Sequence, residues 1–153
     1  MRKVIFTNPD GGLVVVSPVV NTFGEAEGFT EVDAEKRAWD TLPSDAINPC
    51  WCDESKVPTD RTFRAAWVNT DSKLTIDMAK ARNIHLDRIR IKRNAELSKL
   101  DIQATKAQDM GDTEALTQIR ARKQELRDLP ATLAPTLASA NSTDALKAIQ
   151  PLE

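Results

Sequence analysis

From residue 77 to residue 108 the chain contains neither glycine nor proline, and most residues there are strong helix formers. Such a stretch predicts one long α-helix, on the order of 48 Å from end to end at ~1.5 Å per residue. Everything else in the chain has to pack along this rod or stand beside it. Leu86, Ile89, Leu97, Leu100, Ala104 and Ala107 fall on one stripe, and Ile84, Ile91, Ala95 and Ile102 on a neighbouring one, so the expected apolar face is broad and interrupted by arginines. The "DMGDT" that follows predicts a break. Gly111 suits the left-handed position that ends a helix, and Asp112 or Thr113 suits the cap of the next. That second helix is predicted over 114–129, with Leu116, Ile119, Leu126 and Leu129 on one side and Pro130 as its stop. A tight break between two amphipathic helices predicts an antiparallel hairpin. The first helix then has about twice the residues of the second, so part of its apolar stripe is expected to lack cover and to need a sheet, a second copy or another protein.

Ahead of the rod the pattern changes to strands. "KVIFT" and "LVVVS" are β-branched runs separated by "NPDGG", a hairpin signal, and Pro18 ends the second run. Residues 23–29 read as loop. "TEVDAEKRAWDTLP" reads as a helix capped by Thr30 and stopped before Pro43, with Val32, Ala38, Trp39 and Leu42 able to share a face. "PCWCD" is short and extended and predicts a third strand beside the hairpin. "VNTDSKL" reads as a polar turn. After Pro130 comes a Pro/Ala/Thr/Ser segment and a final short helix, "STDALKAI", capped by Ser142 or Thr143. The expected fold is therefore α+β: an acidic β-hairpin and helix over 1–60, an aromatic joint over 61–75, a helical hairpin over 76–129, and a tail with one short helix over 130–153.

With 153 residues the chain can form one domain, or one small domain with an appendage. No apolar run approaches the ~20 residues of a membrane span and no secretory apolar core follows Met1, so a soluble protein made in a reducing cytoplasm is expected. Cys50 and Cys52 flank Trp51 too closely for an unstrained disulfide. The net charge of -2 hides a polarity: acidic residues dominate up to Asp60, and the rod is basic. That division suggests oriented docking.

Candidate chemistry is sparse. His85 is the one histidine, and neither it nor the two cysteines has the spacing of a metal site. There is no nucleophile elbow and no glycine-rich phosphate loop, so neither a catalytic residue, a metal nor a cofactor is expected. Lys80, Arg82, Arg88, Arg90, Lys92, Arg93 and Lys99 could follow phosphates, which keeps a nucleic-acid-binding accessory protein as one alternative. Their spread over several faces, with Asp87 and Glu96 at pairing distance from Arg90 and from Lys92 or Lys99, favours a solvated helix instead. Within "VPTDRTFRAAW", Phe63 and Trp67 stand four residues apart, so one helical turn can direct both rings into one groove. They serve either as a clasp between the sheet and the rod or as partner anchors beside Arg64.

"VPTDRTFRAAW", "IDMAKARNIHLDRIR" and "GDTEALTQIRARKQELRDLP", in that order, resemble a group of small proteins encoded near the tail and tail-fibre genes of tailed bacteriophages, a similarity spanning residues 57–129. The resemblance implies a non-enzymatic tail- or fibre-associated component of the virion, contacting other tail or fibre proteins in several copies of a symmetric assembly. An assembly chaperone that helps fibres fold and then leaves is the alternative it allows. The partner-binding residues expected from the residue patterns are Phe63, Arg64 and Trp67 at the joint, with Leu86, Ile89, Ile91, Arg93, Leu97 and Leu100 along the rod.

Overall fold

A computed structural model describes residues 1–20 and 28–152. The chain is α+β and forms two compact units, Met1–Asp77 and Met78–Glu153. Residues 61–75, expected as a joint, lie within the first unit. Most of the loop expected over 23–29 falls outside the described residues.

In the first unit, β1 (Arg2–Thr7) is the central strand of an antiparallel sheet, with β2 (Leu13–Val16) on one side and β3 (Ile47–Asp53) on the other. The β1–β2 turn forms as "NPDGG" predicts. Gly11 sits at φ +81°, and the Asn8 side chain accepts the Gly12 amide proton at 2.5 Å, which closes the tip of the hairpin. Strand alternation sorts β1 onto two faces. Ile5 packs with Leu13, Cys52 and Trp67, while Val4 and Phe6 are buried on the opposite face.

The helix α1 (Glu31–Asp40) lies against β1. Its start is a reciprocal cap: Thr30 Oγ1 accepts from the Asp33 amide, and Asp33 Oδ2 accepts from the Thr30 amide at 2.9 Å. The buried face of α1 is Ala34 and Ala38, four apart and small enough for close approach to the sheet. The expected grouping of Val32 and Trp39 with Ala38 is thereby corrected, since Val32 is 73% exposed and Trp39 stands at the rim.

The expected polar turn over "VNTDSKL" is instead a second hairpin, β4 (Trp67–Thr70) and β5 (Lys73–Ile76). Asp71 and Ser72 both have positive φ, 51° and 62°, the geometry of a two-residue loop matched to strand twist. Neither residue is a glycine, and the flanking strands are only four residues each, so the signal is weak in sequence. Asn69 Nδ2 ties this hairpin to β3 by donating to the Asn48 carbonyl at 2.8 Å.

The second unit contains α2 (Met78–Asp109), α3 (Thr113–Ser139) and α4 (Thr143–Ala148). The α2–α3 break follows the local signals. Gly111 has φ +71°, its amide donates to Gln108 and that of Asp112 to Ala107, which together satisfy carbonyls at the end of α2. Asp112 then caps α3 by accepting from the Ala115 amide at 2.9 Å.

Pro130 does not stop α3. The helix runs through Pro130 and Pro135 to Ser139, with buried Leu126 and Leu137 on either side of the prolines, so most of the segment expected as an irregular tail is helical. Packing of α3 on α2 offsets the hydrogen bonds that proline cannot donate. The expected twofold length mismatch is overturned, because α3 has 27 residues against 32 for α2 and the chain after it returns along α2.

Candidate functional site

Three side chains of α2 hold backbone carbonyls of the C-terminal segment. Arg82 donates through Nε and Nη2 to the Ala140 carbonyl at 3.1 and 2.8 Å, which satisfies an acceptor left over at the end of α3. His85 Nε2 donates to Ile149 O at 2.8 Å, and Lys92 Nζ reaches Leu152 O at 3.3 Å. Leu146 and Leu152 are buried in the same segment. These basic residues act as internal ties, and Arg90 with Asp87 (2.9 Å) and Lys99 with Glu96 (2.6 Å) form ion pairs on the helix surface. The charge that reads as a phosphate track in sequence is to this extent occupied.

The expected partner-binding residues do not share one surface. Phe63 and Trp67 flank a single 3₁₀ turn, Arg64–Ala66, and are only 2% and 3% exposed; Trp67 belongs to the Ile5, Leu13 and Cys52 cluster of the first unit. Arg64 is exposed on the turn between them. Along α2, Ile89 is buried, Leu86, Arg93, Leu97 and Leu100 are half-buried, and Ile91 is 69% exposed. Successive residues are ~100° apart around the helix, so Ile91 lies ~160° from Ile89. From Ile91 onward, the two stripes expected to be neighbours are opposite faces. One is turned toward the interior of the second unit and the other toward solvent.

A surface that the sequence reading missed lies on the first unit. Glu35 and Trp39 project from α1 one turn apart, while Arg2 and Trp51 come from β1 and β3. The Trp39 and Trp51 rings stack with centroids 5.2 Å apart and planes inclined by 24°. The Arg2 guanidinium sits 4.5 Å from the Trp51 ring centroid and bonds Glu35 Oε2 through Nη2 (2.6 Å) and Nε (3.0 Å). The Arg2 backbone amide also donates to Glu35 Oε1 at 2.7 Å. These hydrogen bonds hold the Glu35 carboxyl below the usual carboxylate range and raise the Arg2 guanidinium. A cleft of about 350 Å³ opens beside the pair, bordered by Glu31, Asp53 and Glu54. No signal within a short window marks this cluster, since its members come from three elements.

Asp33 is held low by its hydrogen bonds to Thr30, and Glu35 by those to Arg2, a direction opposite to the one a general acid requires. Burial pushes the Cys52 thiol up, away from the thiolate a nucleophile needs, and both cysteines are free. Among the described residues no three His, Cys, Asp or Glu side chains converge as metal ligands, and no helix is long and apolar enough to cross a membrane. No family model, curated protein or solved structure matches the chain.

Proposed function

We propose that this chain is a non-enzymatic adaptor of a tailed-bacteriophage virion, joining tail or tail-fibre proteins through the outer surfaces of its two units. The motif order over residues 57–129 supplies the phage assignment. What supports an adaptor is the solvent face of α2, where Ile91 and Ile102 remain 69% and 60% exposed on a helix of 32 residues. Apolar side chains on a stiff helix suit a contact that holds subunits of an assembly together, a second copy of this chain included. The paired tryptophans of the first unit provide a second contact of different character, aromatic and flanked by acidic groups.

A fibre-assembly factor is the second reading. It is favoured by the cover that α3 and the C-terminal segment give the inner face of α2, which leaves a modest apolar stripe suited to transient binding. Mass spectrometry of purified particles from a phage encoding this chain tests the choice. Recovery in fixed ratio to tail proteins is the expected result. Absence from particles, with copurification from lysates alongside a fibre protein, would replace the adaptor by the assembly factor; absence from both would remove the phage assignment.

A further inference from the structure

We infer that the solvent face of α2 is a self-association seam, on which a second copy of this chain lies parallel and in register. The seam stands independently of the phage assignment. Ile91, Ala95, Ser98, Ile102 and Thr105 follow one another at alternating steps of four and three residues, and every one is exposed. That spacing is the seam of a two-stranded coiled coil, with Ala95 and Ile102 in one set of layers and Ile91, Ser98 and Thr105 in the other. Ala95 and Ser98, between the two isoleucines, are small, so two backbones can come close.

The flanks decide the partner and its direction. Asp87, Asn94 and Asp101 run along one side of the seam, and Lys92, Lys99 and Lys106 along the other. When two copies lie parallel, each flanking residue of the first row meets the residue five positions later on the partner. Asp87 then faces Lys92, Asn94 faces Lys99 and Asp101 faces Lys106. In an antiparallel pair each row would face itself, which sets lysine against lysine and leaves Asp87 and Asp101 without a cation on the partner. An unrelated partner has no reason to match this alternation, whereas a second copy supplies it automatically.

Within one chain, Asp87 bonds Arg90, Asp101 bonds Lys123 at 2.5 Å, Lys99 bonds Glu96 and Lys92 reaches Leu152 O. The side chains of Asp87 and Asp101 are 65% and 67% exposed in these pairs, so sharing them with a partner cation sacrifices little. From Ile91 to Thr105 the seam is about 21 Å long. Such a patch is shorter than a standard stable interface, and the predicted association is correspondingly weak, on the order of 100 μM.

Sedimentation equilibrium of the full chain from 10 μM to 1 mM tests this. A monomer–dimer equilibrium is expected, weakened about 100-fold or more in I91K/I102K and weakened in D87K, with recovery in the charge-swapped D87K/K92D. Direction is read from T105C under mild oxidation. Parallel register predicts a disulfide between the two introduced thiols, identified by peptide mapping. That bond cannot form in an antiparallel pair, where the two positions stand far apart. A chain that stays monomeric at 1 mM overturns the inference, as does a dimer indifferent to I91K/I102K or one whose introduced thiols fail to link. A monomer whose I91K/I102K variant also melts lower would assign the stripe an intramolecular partner and likewise overturn it.

Discussion

His85 Nε2 donates to the carbonyl of Ile149, 64 residues further along, at 2.8 Å, so one helix of the second unit holds the segment that returns along it. The ring is buried on α2, one turn after Arg82 and two turns before Lys92. All three direct their polar ends at main-chain acceptors of the same returning segment.

His85→Ala leaves that carbonyl without this donor and opens space beneath the segment. The expected loss is about 1–3 kcal/mol. Hydrogen exchange should show faster exchange over 140–152 while the middle of α2 keeps its protection. Unchanged exchange in that segment would mean that apolar packing by Leu146 and Leu152 alone holds it.

Trp67 packs in the core of the first unit with Ile5, Leu13 and Cys52, and its buried Nε1 has no hydrogen-bond partner among the described residues. Trp67→Ala should cost about 3–5 kcal/mol through cavity formation. Trp67→Phe should cost clearly less, because it removes the unsatisfied donor along with part of the ring. Chemical denaturation of both variants, followed by signals from each unit separately, checks that order. Equal losses would show that the indole N–H is satisfied in solution.

Acid should weaken the first unit through Glu35 and Asp33. Both carboxyls titrate lower folded than unfolded, Glu35 because of Arg2 and Asp33 because of Thr30. The stabilisation they give is therefore complete above the ordinary carboxylate range and is lost as pH falls through that range toward their folded values. Melting temperature measured downward from pH 6 should decline more steeply in the native chain than in E35Q. Arg2, the cation of the Glu35 pair, is exposed, so added salt should flatten the difference.

Pro130 sits inside α3, where it removes a backbone donor and crowds the preceding turn. Pro130→Ala should stabilise the second unit, by up to about 3 kcal/mol, and raise helical circular dichroism slightly. A destabilised variant would mean that the local geometry set by the proline is what seats Leu126 and Leu137 in the unit's interior.

Much of the fold was legible because its signals are local. The absence of glycine and proline in α2, Gly111 at the break, the caps at Thr30, Asp112 and Ser142, and the "NPDGG" turn each act within a few residues, where hydrogen bonding and φ preference decide the outcome. The Trp39, Trp51, Arg2 and Glu35 cluster was not legible, because its contacts join residues more than ten positions apart. Even the pairing of Phe63 with Trp67 as inward-directed aromatics did not say where they are buried.

By itself the sequence determined the elements that begin and end with local chemistry, the α+β class, and the hairpin of α2 with α3. Only the tertiary structure decided that α3 passes through two prolines, that α1 buries Ala34 and Ala38 while Trp39 meets Trp51, and that Ile89 is buried while Ile91 faces solvent. The reason is energetic range: a cap or a turn is satisfied by its neighbours in the chain, whereas the burial of Leu126, Leu137 and Leu146 is realised only when distant segments meet, and that burial is large enough to override a proline.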